Sequence, residues 1–441
     1  RPYRLSRQRK AKQTRRFLPR SAAPMPAVSR ARPAFELGLG LCVFLFLPLS
    51  ALFSRGLAPL IAVAGLFGFG LAAPGGVATW RRVRMPALLF AALLSWGLVS
   101  LFWAVDPQRS LVMAARLLGL FAAGLALVAA APELAAPRRL LAWFGAGLVL
   151  ALVLTVVQFA TRGALTDPFL RQVFVEPRLN QVENGFVLLL LPLTATLALR
   201  RHVALATVLA ALTVAVVFRL VGDAAWDALL AGIAGAVAIY LWRRWIARVA
   251  AVFAAIVVLL APVIFPMLIR VDAVAGRAET IKFSLWHRLE IWSFVGAYIA
   301  RRPLLGWGLD SSRAIPGGSA LTPEGVPWLP LHPHNVALQI WLELGLPGAA
   351  LFALFIARLW LALGAAPWPR LYAAAAGGSL VSACVVALGS YGLWQEWWIG
   401  SEFLTLFLIL VMARLAGEPA RRRSRISLSP SLERGAARSR R

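Results

Sequence analysis

Acidic residues are scarce in this 441-residue sequence: 18 Asp and Glu stand against 46 Lys and Arg, and charges of both signs make up only 15% of the chain. There are two cysteines and four histidines. Each shortage excludes something. Soluble domains run about 45–50% apolar and about 25% charged; at 60% hydrophobic, this chain belongs in a bilayer. Cys42 and Cys384 both lie inside apolar runs, so they read as small hydrophobes and offer neither a disulfide staple nor a thiolate metal site. The formal charge of +28 does not mark a nucleic-acid-binding domain, because much of it sits in two tails. Residues 1–33 carry eleven basic residues and no acid, and residues 417–441 carry eight Arg against Glu418 and Glu433. Short basic tails flanking an apolar body are the pattern of cytoplasmic ends of a membrane protein, in contact with the bilayer and with no nucleic acid.

Crossing a hydrocarbon core about 30 Å thick takes about 20 apolar residues in a helix. Twelve runs qualify: 34–53, 57–73, 86–104, 110–131, 140–160, 185–199, 203–218, 225–241, 249–269, 335–357, 371–390 and 399–415. The first is too long for a signal-peptide core and ends in no cleavage pattern, so it is expected to remain as an anchor. The loops give an independent check. With the N-terminus inside, inside loops hold Arg81, Arg82 and Arg84, then Arg138 and Arg139, Arg200 and Arg201, Arg243, Arg244 and Arg248, and Arg358 and Arg370. The short outside loops hold only Arg55, Arg109 and Arg219. This satisfies the positive-inside rule throughout. The expected fold is an all-α integral membrane protein of about twelve transmembrane helices, with both termini cytoplasmic. Its segments are a disordered basic tail (1–33), spans one to nine (34–269), a large periplasmic loop (270–334), spans ten to twelve (335–415) and a second disordered basic tail (416–441).

A loop of that length is uncommon without a task. Apolar residues Ile281, Leu285, Leu289, Trp292, Val295 and Ile299 recur at helical spacing, predicting a helix on the membrane surface or packed over the bundle. Arg288 lies four residues before Trp292, on the same face. Pro303 and the Gly306–Gly308 turn end this helix. Further on, His332 and His334 flank Pro333, and Asn335, Gln339 and Glu343 form one polar stripe on an otherwise apolar helix. Polar groups at membrane depth are costly and face a cavity or a bundle interior; they serve substrate binding or hydrogen bonding between helices. Gly345 and Gly348 around Pro347 allow a break just below the stripe. Arg116, inside the apolar fourth span, needs a partner or an anion, and Arg178 and Arg219 stand at outer span ends or loops.

His334 and Asn335 followed by Gly345 and Gly348, with Arg288–Trp292 and Pro303–Gly308 upstream, resemble the signature of the O-antigen ligase and polymerase family. Twelve spans, a large periplasmic loop before the tenth and cytoplasmic termini are similar too. The resemblance implies a metal- and cofactor-independent glycosyltransferase of the inner membrane. It would move a glycan from undecaprenyl diphosphate to an acceptor hydroxyl, lipid A–core first among acceptors, on the periplasmic face. It implies His334 as the catalytic histidine, taking the acceptor proton, and arginines that hold the diphosphate. The residues themselves supply the candidates: Arg288 to act with His334, and Arg116, Arg178, Arg219, His332, Asn335, Gln339 and Glu343 to bind substrate. One departure stands out: the family's eighth span commonly opens on a Ser-Arg-Gly-like turn, whereas here Asp223 occupies the place of the expected arginine. A polymerase or a protein O-oligosaccharyltransferase shares the same constellation. A secondary transporter would call for inverted repeats and matching broken helices, and a structural membrane subunit would not need a polar stripe beside a histidine pair.

Overall fold

The computed structural model describes residues 26–166, 179–220, 222–268 and 282–418, and these residues form helices and turns with no β-strand. The helices are α1 (Pro26–Phe53), α2 (Leu57–Ala72), α3 (Gly76–Arg81), α4 (Arg84–Val99), α5 (Pro107–Ala130), α6 (Pro137–Ala160), α7 (Asn180–Leu199), α8 (Val203–Arg219), α9 (Asp223–Leu259), α10 (Ala261–Leu268), α11 (Phe283–Arg301), α12 (Val336–Ala365), α13 (Arg370–Gly389) and α14 (Glu396–Gly417). Proline opens α5 and α6, where its missing N–H costs nothing, and Asp106 caps α5 by accepting the Arg109 N–H at 2.9 Å. α1 starts at Pro26, so the end of the basic N-terminal segment is helical; the rest of both tails lies outside the described residues.

Among the described residues, nine stretches are long and apolar enough to cross a membrane. The first, Ala31–Arg81, contains α1 and α2 joined end to end by a tight turn at Ser54–Gly56. The sixth is α9, which bends at Trp242 (φ −137°, ψ 50°), while α8, apolar and 17 residues long, is not among the nine. The hydrophobic runs read from the sequence thus fall on helices, grouped into fewer continuous pieces.

Small residues set the helix contacts. Gly232 and Gly378 let α9 and α13 meet backbone to backbone, and beside them the Ser382 hydroxyl donates to the Ala228 carbonyl at 2.7 Å. Ser379 does the same across to Leu188 of α7 at 2.6 Å. Between apolar helices in lipid, such close approach and hydroxyl-to-carbonyl bonds replace the hydrophobic driving force. α7 is the most enclosed of the candidate spans.

Arginines knot one end of the bundle. Arg82 pairs with Glu133 at 2.9 Å, and Arg138 and Arg200 pair with Glu418 at 2.7 and 3.3 Å. Arg414 donates to the carbonyls of Ala131 and Leu134, and Arg243 to those of Leu363, Ala366 and Trp368. The side chains assigned to inside loops therefore neutralise helix-end carbonyls and carboxylates, as cations at helix C-termini do. The histidine pair occupies the segment just before α12, and α12 is shaped to hold it.

α12 breaks at Gly345 (φ 61°, ψ −159°). Pro347 cannot donate and the break removes neighbouring helical bonds, so the freed groups need new partners. The turn after α11 supplies them: the N–H groups of Trp307 and Gly308 donate to the carbonyls of Leu342 and Glu343 at 2.9 Å each, and Leu346 donates to Pro303 at 3.0 Å. The Trp96 indole of α4 takes the Leu344 carbonyl at 2.8 Å. The two glycine-rich motifs of the sequence are thus two halves of one joint.

Candidate active site

α11 forms as the spacing predicts, and it is packed over the bundle: Leu289, Ile291, Trp292, Val295 and Ile299 are buried, whereas Leu285 is exposed. Ile281 lies outside the described residues. From the buried face, the Trp292 indole donates to the Pro333 carbonyl at 2.9 Å and fixes the His-Pro-His turn. Pro333 keeps that turn out of helix. His334 adopts a left-handed conformation (φ 54°), uncommon for a residue other than glycine, and its N–H donates to Nδ1 of His332 at 3.1 Å. The two rings lie 4.3 Å apart between centroids.

His334 Nδ1 stands 2.6 Å from the carbonyl oxygen of Ser390. A carbonyl can only accept, so Nδ1 carries the proton and Nε2 keeps its lone pair. Burial pushes the His334 imidazole down to about 4, against the pull of the Ser390 bond, and the Arg288 guanidinium pushes it the same way as burial. His332, buried under Gly392, is pushed down to about 3 by burial and then by His334 and Arg313. Both imidazoles are therefore neutral near pH 7. His332 also meets the Gln395 side-chain amide at 3.2 Å.

The polar stripe is bound mostly to protein. Asn335 caps α12, its oxygen accepting the Leu338 N–H at 3.0 Å, while its amide nitrogen is buried without a hydrogen-bond partner. Gln339 accepts from the Leu393 N–H at 2.7 Å and donates to Glu343 at 3.0 Å. Glu343, fully buried, also accepts from the Ser312 hydroxyl at 2.5 Å, the Asp310 N–H at 2.6 Å and the Trp394 indole at 2.5 Å. A carboxylate removed from water needs about this many donors to be tolerated. Glu343 thereby ties the segment after α11 to the segment before α14.

That second segment, Ser390–Gln395, touches the site at each step: Ser390 holds His334, Leu393 holds Gln339, Trp394 holds Glu343 and Gln395 faces His332. Tyr391 joins it to α7 by accepting from the Asn184 amide at 2.7 Å. Arg288, half-buried on α11, acts electrostatically on both His334 and Tyr391, and so does Glu183 of α7 on Tyr391. Glu183 is fully buried against Gly222, where any side chain would collide with its carboxylate. Burial followed by Glu183 raises the Tyr391 phenol, which stays protonated.

The structure brings His332, His334, Arg288, Asn335, Gln339 and Glu343 into one assembly. Arg116 pairs with Glu396 at the start of α14 at 2.7 Å, its side chain 57% exposed. Arg219 is exposed at the end of α8; Asp223 begins α9, and Arg178 lies outside the described residues. Asp310 is buried beside Glu343 in a left-handed turn, and burial raises its carboxyl while Arg313, Arg109 and Arg116 oppose the shift. Among the described residues, no group of three His, Cys, Asp or Glu side chains could hold a metal ion.

Sequence reading missed Glu183, Asn184 and Tyr391. The first two precede the apolar run that begins at 185, in the stretch between the fifth and sixth spans, yet the helix starts at Asn180 and includes them. The polar cluster at 180–184 directly before buried leucines was the available signal. Tyr391 had none beyond its place between two spans.

Residues 205–353, which hold α11, the His-Pro-His turn and the break in α12, match the family model described as O-antigen ligase. Over that stretch the chain is similar to the O-antigen ligases. Relatives agree: a Rickettsia conorii protein named "putative polysaccharide ligase" is 27% identical over 345 residues, covering 74% of this chain and 79% of the relative. Proteins of the same name from Rickettsia bellii and Rickettsia prowazekii are 36% and 37% identical over 132 residues, about a third of their length in each case. The O-antigen ligase match covers both glycine-rich halves of the α12 joint and the histidine between them.

Proposed function

We propose that this protein transfers a glycan from undecaprenyl diphosphate to an acceptor hydroxyl, lipid A–core first among acceptors, on the periplasmic face of the inner membrane, with both termini cytoplasmic. The observation that carries the reading is the 2.6 Å contact between His334 Nδ1 and the Ser390 carbonyl. It directs the neutral ring's lone pair to Nε2, the arrangement a general base requires. The acceptor oxygen attacks the anomeric carbon as its proton passes to Nε2. The bond from that carbon to the phosphate oxygen breaks, and the diphosphate leaves with the electron pair. A diphosphate needs fixed positive charge and no proton to depart, and Arg288 beside His334 supplies that charge. Binding the anionic donor offsets the influence of Arg288 on the imidazole and raises its basicity when the base is needed.

Asn335, with its unpartnered buried amide nitrogen, is the stripe residue placed to meet a substrate oxygen. Gln339 and Glu343 hold the walls of the site together, and His332 supports the left-handed turn at His334. Arg116 serves as the partner of Glu396, and Arg219 stands ready for a lipid phosphate at the outer end of α8. The test is the stereochemistry of transfer by the purified full-length protein. A single displacement inverts the anomeric centre and proceeds in the presence of a chelator; retention of configuration, or loss of transfer on chelation, contradicts this mechanism.

A further inference from the structure

The amide of Asn184 carries information about the proton of Tyr391. Asn184 Nδ2 lies 2.7 Å from the backbone carbonyl of Asn180 and 2.7 Å from the Tyr391 hydroxyl oxygen. The carbonyl can only accept, so the amide orientation is fixed and Nδ2 donates in both contacts. The tyrosine oxygen is therefore the acceptor in its bond to Asn184, and its own O–H is left to donate elsewhere. The ring cannot swing away, because Trp397 and Trp398 pack against it at 4.6 and 5.1 Å between centroids. The preceding residue, Ser390, holds the proton-bearing nitrogen of His334. One short segment thus carries the orienting group of the base and a fixed phenol, with Arg288 near both.

We propose that Tyr391 is a catalytic residue of the transfer reaction, its hydroxyl donating a hydrogen bond to a diphosphate oxygen of the lipid-linked donor alongside Arg288. This rests on the glycan-transfer reading above. No proton leaves the phenol: the O–H shortens its bond to the phosphate oxygen as negative charge accumulates there, while the acceptor's proton goes to His334. Burial pushes the phenol well above its ordinary range, so it remains a donor at every pH at which the protein works. A donor aimed at charge that grows in the transition state accelerates the step more than it tightens binding.

The experiment compares full-length parent, Tyr391→Phe, Asn184→Leu and His334→Ala in detergent or nanodiscs, measuring single-turnover transfer and affinity for a glycan-linked undecaprenyl diphosphate. Tyr391→Phe keeps the ring against the two tryptophans and removes only the hydroxyl. The expected result is a loss on the order of 100-fold in the transfer rate, with a smaller loss in donor affinity. Asn184→Leu, which cuts the tether but leaves the phenol, should lose much less. A Tyr391→Phe rate within twofold of the parent, with His334→Ala inactive, overturns the role of Tyr391 and leaves the transfer reading standing. Equal losses in Tyr391→Phe and Asn184→Leu also overturn it, by making the tyrosine a tether alone. A parent protein that neither binds nor transfers from this donor removes the transfer reading and this inference with it.

Discussion

Gly306 and Gly345 meet backbone to backbone at the break in α12. Their φ angles are 69° and 61°, and a Cβ on Gly306 would stand 2.5 Å from the Glu343 carbonyl group and 2.7 Å from the Gly345 nitrogen. Neither position has space or conformation for a side chain. Alanine at either site forces a left-handed strain of about 1–3 kcal/mol before any clash is counted. Gly306→Ala and Gly345→Ala should each lower the thermal unfolding midpoint in detergent and reduce the amount of protein in the membrane. An unchanged midpoint would mean that the joint is not the anchor of the site.

Glu343 separates two roles that its place on the polar stripe left open. Four donors from three segments, one of them α12 itself, converge on its carboxylate. Glu343→Gln turns an NH2 group toward donors that need an acceptor, at about 1–3 kcal/mol for each one left unsatisfied. The expected outcome is loss of stability, read as a lower unfolding midpoint, with activity falling alongside. A Glu343→Gln protein of parental stability and a raised KM would instead show direct substrate contact.

Hydropathy made the helices legible because a bilayer leaves the backbone no other solution. His334 and Arg288 were legible through a motif, and the break at Gly345 through its glycines and proline. What holds them was not. Glu343 shows as polar on an apolar face, but its donors come from Asp310, Ser312, Gln339 and Trp394, and three of these lie on other segments. The orienting group of His334 is a backbone carbonyl, which any residue at position 390 would offer. Asn184 and Glu183 hid at a helix start, where a few polar residues before an apolar run look the same as a loop.

The histidine pair sets the pH response. An unperturbed imidazole titrates near 6.5, and that of His334 in the folded protein is pushed down to about 4. Between those values the unfolded chain binds the proton and the folded chain does not. The contribution to stability is therefore fully present above 6.5 and is lost as pH falls toward 4. The acid limb of kcat/KM, which reports the free protein, should lie well below 6.5. The limb of kcat should lie higher, because a bound diphosphate beside Arg288 favours the imidazolium. A limb of kcat/KM at 6.5 that disappears from kcat would contradict this order.

Arg116 and Glu396 form an ion pair 2.7 Å long between α5 and α14. If the arginine serves its carboxylate partner, Arg116→Glu and Glu396→Arg should each impair the protein, and the double reversal should recover most of the lost activity. Double-mutant analysis of transfer rates measures that coupling. A double reversal as impaired as Arg116→Glu alone would place Arg116 on the substrate.

The central claim is that His334 is the base of a glycan transfer. Its most direct test is a gel of surface glycolipid from a deletion strain complemented with the parent gene or with His334→Ala, at equal protein in the membrane. The account predicts that the parent restores the long-chain ladder, while the variant leaves bare core and polymer stranded on its lipid carrier. A ladder restored equally by His334→Ala would contradict it.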